Sequence, residues 1–302
     1  MDARAYARIR ERLPAIEAER RVALALLTAA WTVLPGLGAA LGAYLVGLGG
    51  DWRHLLGSLA GGAGAAAWLS PHLLYPYKRK FKLEVIKPLL EGSLEGVEYA
   101  PLGSVSHLDL EASLLFRSVP PEEVTGEDLV IGRRSGVAVR FSEVRAGGGL
   151  KLGRDGRPVY RPPVFRGLFF VADFNRKSPG IVVVYPEGWL ARPLLELPPV
   201  SLEDPRFERA FKVFASDPVY AFYVLSPSLM EAIWEFSREA GKLAFSVVYG
   251  KLYLAVPGPK NRLEPPLFSS LRSPSLYRGF LREVGGFLRL VDALRLNRRI
   301  WG

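Results

Sequence analysis

Two uncharged stretches constrain this chain more than any other feature. Residues 22–50 run for 29 positions, and residues 54–77 for 24, without one Asp, Glu, Lys or Arg. Roughly 20 apolar residues span the roughly 30 Å of bilayer hydrocarbon, so each stretch is long enough. Core helices of soluble proteins are seldom this long or this uniformly uncharged. A cleaved leader fits badly, because Glu11, Glu17 and Glu19 precede the first stretch and the second follows almost at once. The pattern predicts a two-helix transmembrane hairpin with spans of about 22–50 and 54–77.

Only Asp51, Trp52 and Arg53 separate the two stretches, so the helices must turn back on one another. Arg8, Arg10, Arg12, Arg20 and Arg21 precede the first, while Lys78, Arg79, Lys80 and Lys82 follow the second. That bias predicts both termini on the cytoplasmic side of the cell (inner) membrane. Gly38 with Gly42, and Gly57 with Gly61, have the spacing that lets helix backbones approach, and we read them as packing within the hairpin. Pro35 should kink the first helix, and Pro71 and Pro76 should loosen the end of the second. Neither span holds an acid, which leaves an ion or proton pathway little to work with, and His72 falls near the inner interface.

The expected organisation is a cytoplasmic N-terminal helix over 1–21, a transmembrane hairpin over 22–80 and a cytoplasmic α+β domain over 81–302. In that domain Phe81, Leu83, Val85, Ile86, Leu89 and Leu90 share a helical face continuing from the second span. A further helix is expected over 107–118. Next come strand-like runs in "DLVIG", "GVAVRFSEVR", "GLKLG", "VFRGLFFVADFN" and "GIVVVYP", with a tight turn at Asp155-Gly156. Helices are expected near 205–210 and from Ser226 to Ala240, the latter with Leu229, Ile233, Trp234 and Phe236 on its apolar stripe. A strand pair turning at Gly250-Lys251 and a final helix over about 275–294, with Leu281, Val284, Phe287, Leu288 and Val291 inward, close the chain. The fold class is therefore α+β, with a mainly antiparallel sheet and packed helices behind a transmembrane hairpin.

The chain has no cysteine, which excludes disulfides, thiolate zinc sites, iron–sulfur clusters and a thiol nucleophile. His107, Asp109 and Glu111 alternate as metal ligands on a strand might, but a helix would spread them around its surface. "PEGW" and "RAGGGLKLG" match neither the dinucleotide nor the nucleoside-triphosphate loop. Asp204 before Pro205 reads as a helix start, and Asp217 as a cap of the turn after it. No catalytic constellation, metal site or cofactor emerges.

The blocks "GVAVRFSEVRA", "VFRGLFFVADFN", "LEDPRFERAFKVFASDPVYAFYVLSPSLMEAI", "KLYLAVP" and "LNRRIW" together resemble the bacterial membrane-protein family catalogued as domain of unknown function 3137. The resemblance runs in order along nearly the whole chain. It implies two amino-proximal spans and a cytoplasmic α+β region, and it carries no reaction or functional residues. Family members often have a Glu and an Arg where this chain has Tyr220 and Phe222.

Charge is distributed unevenly. Residues 81–132 hold 10 acids against 3 bases, net −7, and residues 133–177 hold 11 bases against 3 acids, net +8. Arg133, Arg134, Arg140, Arg145, Arg154, Arg157, Arg161 and Arg166 are the candidate residues for an anionic surface. The competing reading is that they pair with the acidic segment or solvate wet strand faces. The expected partners are the lipid bilayer and either anionic headgroups or a membrane-associated protein. Nucleic acid is disfavoured, since no binding motif is present. The functional expectation is a membrane-anchored cytoplasmic binding or scaffold module. The alternative is an enzyme acting on a lipid or another membrane-delimited substrate.

Overall fold

The computed structural model describes residues 3–152, 156–173, 180–189, 196–258, 263–271, 284–289 and 291–292. The chain divides into two compact units, one comprising Met1–Leu89 with Glu264–Leu276 and the other Leu90–Leu263 with Tyr277–Gly302.

The first unit is built on two long helices. α1 (Ala3–Gly47) is continuous through Pro14 and Pro35, so no break separates the charged N-terminal region from the uncharged stretch. Gly49, at φ +92°, turns the chain, and α2 (Arg53–Phe81) returns. α2 keeps its helix through Pro71 and Pro76, where loosening was expected, and passes into a π-helical turn at Lys82–Ile86 and then α3 (Lys87–Glu91). Phe81, Val85, Ile86, Leu89 and Leu90 are buried as their helical spacing implies, and Leu83 is half-buried. Among the described residues α1 is the one helix long and apolar enough to cross a membrane, and 17% of its most apolar stretch is buried. Gly, Ser, Pro and His residues dilute the leucines of α2.

Buried Ile9, Ile16, Ala23 and Ala30 recur every seven residues along α1, the repeat of a left-handed helix seam. Farther along, the backbones come into near contact. A Cβ at Gly38 would fall on the Ser58 carbonyl, one at Gly42 would lie 2.5 Å from the Leu55 Cα, and one at Gly62 would lie 2.9 Å from the Pro35 Cα. Gly57 and Gly61 have open space instead. The small pair of α2 that meets α1 is thus Ser58 and Gly62, one residue on from the expected pair. Trp31 Nε1 also donates to Ser70 Oγ across the helices, at 3.0 Å.

Below the uncharged stretch of α1, Glu17 accepts from Arg20 Nη2 at 2.7 Å and Nε at 3.0 Å, and both residues are buried. Glu17 also accepts from the Leu271 amide at 3.2 Å. The Arg20 hydrogen bond, assisted by that amide, holds the Glu17 carboxyl down at about 2.

The second unit is a nine-stranded antiparallel sheet. Its first strands are β1 (Glu95–Ala100), β2 (Val124–Arg134), β3 (Val137–Ala146), β6 (Phe165–Asp173) and β7 (Ile181–Pro186). β8 (Pro199–Val200), β9 (Phe211–Ala215), β10 (Ala244–Val248) and β11 (Lys251–Pro257) complete it, in the order β1-β2-β3-β6-β11-β10-β7-β9-β8. β4 (Gly149–Leu152) and β5 (Pro158–Arg161) form a separate antiparallel pair, and Gly156 of the expected Asp-Gly turn takes φ +73°. Asp155 itself lies outside the described residues. Two tight hairpins turn on Ser135-Gly136 and Tyr249-Gly250, all four at positive φ, which fits the twist of the flanking strands. The second turn falls one residue before the expected one.

α4 (His107–Ala112) starts on an N-cap, with the Asp109 amide donating to Ser106 Oγ at 3.1 Å. It is shorter than the expected 107–118 helix because Leu114 adopts φ +57°. The residues after it, Leu115, Phe116 and Val119, join Phe165, Phe169, Val183 and Tyr253 in the core on one sheet face. On the opposite face Phe287 stacks on Phe170 at 4.1 Å and meets Phe141 edge-on at 6.2 Å. A Cβ at Gly286 would strike the Phe236 ring of α7 (Pro227–Ala240), whose Leu229, Ile233 and Phe236 are buried as expected, with Trp234 part-buried. Val284, Phe287, Leu288 and Val291 of the final helix are buried, and Leu281 lies outside the described residues. α5 (Pro205–Ala210), capped by Asp204, matches its expectation, and Asp217 caps α6 (Pro218–Val224).

Substituting Ala at Gly38 should cost about 1–3 kcal/mol through overpacking, whereas Gly61→Ala should be neutral, in thermal unfolding of the full chain in detergent. Because the Glu17 carboxyl lies near 2 against an ordinary 4.5, its stabilising contribution is complete above pH 4.5 and fades as pH falls toward 2. The melting-temperature gap between wild type and Glu17→Gln should therefore close over that window.

Candidate functional site

The candidate arginines separate into two groups. Arg133 and Arg134 end β2 and Arg140 lies within β3. Arg134 donates to Asp292 Oδ2 at 2.7 Å and to the Ser93 carbonyl at 3.2 Å. The Asp292 hydrogen bond raises its pKa above the ordinary guanidinium value. Arg140 donates to both oxygens of Asp109, at 2.5 and 3.2 Å. Partial burial works against this cation, but the Asp109 hydrogen bond and charge outweigh it, so its pKa is also raised. Asp109 in turn accepts from Ser106 Oγ at 3.0 Å, and Glu111 from Ser118 Oγ at 2.9 Å. The acids of the His107–Glu111 stretch therefore serve local structure, and among the described residues no three His, Asp or Glu side chains converge on a metal position. Burial beside this pair pushes the Tyr253 phenol up to about 12.

The second group lies at the other end of β3. Arg145 and Arg166 are direct cross-strand partners on β3 and β6, both exposed, and neither forms an ion pair among the described residues. They line a cleft of about 290 Å³ with Leu102, Thr125, Glu127 and Glu143. Like charges directly opposite each other weaken a strand pair, so an anionic group between them would relieve repulsion. Glu127 and Glu143 are themselves cross-strand partners one position pair away, on the same face. Glu143 Oε1 accepts the Leu263 amide at 3.3 Å, which fixes it in the wall. The cleft thus offers two cations and suits a ligand carrying an anionic group.

The cleft borders the β4–β5 hairpin. Arg145 Nη2 lies 3.6 Å from where a Gly149 Cβ would be, and Gly149 is the register partner of Arg161. Arg145, Arg161 and Arg166 thereby form one basic edge. Arg157 precedes β5 and has a partner of its own, and Arg154 lies outside the described residues. The hairpin also exposes Leu152, Val159 and Tyr160, with Val164 just after it. The acidic walls Glu127 and Glu143 escape a linear reading, because their pairing depends on a bulge at 127–130, where buried Asp128 takes φ +64°.

Arg140→Gln should lower stability by about 1–3 kcal/mol, since Asp109 loses its charged partner. Arg145→Gln and Arg166→Gln should stay within about 0.5 kcal/mol of wild type in denaturant unfolding.

No curated protein matches the chain. Among solved structures, the crystal structure of the mycobacterial trehalose monomycolate transport factor A, TtfA, is similar over 71% of this chain and 94% of that chain. The identity is 13% and the TM-score 0.38, a likeness too distant to carry anything to this chain. A family model matches residues 163–296, a narrower span than the resemblance noted above, and leaves outside it the block at 136–146 and all but the first residue of the block at 296–301. Within it Tyr220 packs its ring over Gly180 and Phe222 is exposed. Over residues 163–296 the chain is similar to the family described as Protein of unknown function (DUF3137).

Proposed function

We propose that this chain is a two-span membrane protein of the cell (inner) membrane, both termini cytoplasmic, whose sheet unit is a binding or scaffold module. The observation that supports the anchor is how little of the helix pair is covered. Val22, Leu26, Val33, Leu37 and Leu41 of α1 and Leu55, Leu56 and Leu59 of α2 all face outward. A soluble protein would bury such surface, and lipid accepts it. α2, less apolar than α1, crosses as its partner because the glycine contacts hold the two together. Trp52 at the turn and Trp68 and Tyr75 farther along α2 supply aromatic side chains suited to headgroup level.

The module takes an anionic group of a lipid or of a membrane-associated protein, at the basic edge of Arg145, Arg161 and Arg166. The cleft supports this reading because its cations are without ion-pair partners among the described residues, while Arg140 and Arg134 are committed to Asp109 and Asp292. The test is purification of the full-length protein from its native membrane after cross-linking, beside an Arg145→Glu/Arg166→Glu variant. Co-purifying phospholipid or a near-stoichiometric protein should fall at least about ten-fold in the variant, as loss of charge-assisted contacts implies. Equal retention in both samples would overturn the assignment of the site.

A further inference from the structure

Residues 264–271 lie far downstream of the helices in sequence yet belong to the same compact unit. Five tethers hold them there. Tyr77 Oη donates to the Pro266 carbonyl at 2.8 Å, and Arg20 Nη1 to the Leu267 carbonyl at 2.6 Å. The Leu271 amide donates to Glu17 at 3.2 Å, and Lys78 and Lys82 pair with Glu264 at 2.5 and 3.3 Å. Every helix residue in this set sits within one or two turns of the ends of the uncharged stretches at 22 and 77, so the strap lies at the level where the spans leave the hydrocarbon.

The strap turns Leu271 inward, fully buried, and turns Phe268 outward. At 84% exposure Phe268 is the most exposed large apolar side chain among the described residues. Its neighbours Ser269 and Ser270 are exposed and small. An aromatic ring held at span-end height, beside hydroxyls and the cations that flank the spans, matches what the headgroup region accepts.

We propose that residues 264–271 form an interfacial wedge, with Phe268 inserted among the lipid headgroups on the cytoplasmic side. This rests on reading α1 and α2 as membrane spans. The wedge gives the hairpin a third membrane contact, and because the strap is tied to Glu17 and Arg20 it fixes how deep the helix ends sit.

The absence of cysteine makes the test clean. Single variants Phe268→Cys and Leu37→Cys of the full chain would carry an environment-sensitive fluorophore in vesicles of phosphatidylcholine and phosphatidylglycerol. The lipids would be spin-labelled either near the headgroup or deep in the acyl chain. Leu37 is exposed and near the middle of the first uncharged stretch, so the deep label should quench it more strongly. At position 268 the shallow label should quench at least about two-fold more than the deep one, as placement at the interface requires, with aqueous iodide quenching weakly. If Leu37 is quenched and position 268 is not, the wedge is wrong and the anchor stands, whether water or another protein covers the strap. If neither is quenched, the anchor fails and the wedge with it.

Discussion

Among the described residues the helix pair leaves much of its apolar surface uncovered, and the arrangement of the first unit is built around that. Few of the apolar residues of α1 are buried along its uncharged length, and the proposed anchor rests on that. Charge is excluded from that length and gathered at its ends, where several of the charges form ion pairs. Lys80 pairs with Glu19, Arg12 with Glu84, Arg20 with Glu17, and Lys78 and Lys82 with Glu264. Close backbone approach at Gly38, Gly42 and Gly62 packs the two helices together.

The sheet unit obeys the opposite constraint, since it can bury its own apolar surface. β6, β7, β10 and β11 sit mid-sheet and are apolar nearly throughout because both faces are covered. One face is covered by the chain around α4, the other by the final helix. Polar groups are then confined to strand ends and outer strands. Buried Ser142 and Ser246 survive at the core only by bonding the Val105 amide and the Ser113 carbonyl. The cleft lies where the β2 bulge and the ends of β3 and β6 leave charged side chains uncovered, which is why polar chemistry collects there.

Periodicity and punctuation carried much of this into the sequence. The continuous helix after residue 80, the Asp204 and Asp217 caps, the alternation of Val137, Val139 and Phe141, and the stripe of α7 are local patterns, and local patterns survive in one dimension. β9 was hidden, because "FKVFA" is five residues wedged between helical segments and a short apolar run reads equally well as helix. The early end of α4 depended on one positive φ at Leu114, a residue type that gives no warning of it.

By itself the sequence determined that this protein has a long uncharged helical region ahead of an α+β unit with an antiparallel sheet, and that its basic residues concentrate in one stretch. Those properties follow from composition and spacing along the chain. Only the tertiary structure decided which arginines are committed to Asp109 and Asp292, which face one another across the cleft, and that a strap from residue 264 onward closes on Glu17 and Arg20. Strand register and long-range docking set those outcomes, and both are fixed by packing between segments far apart in the chain.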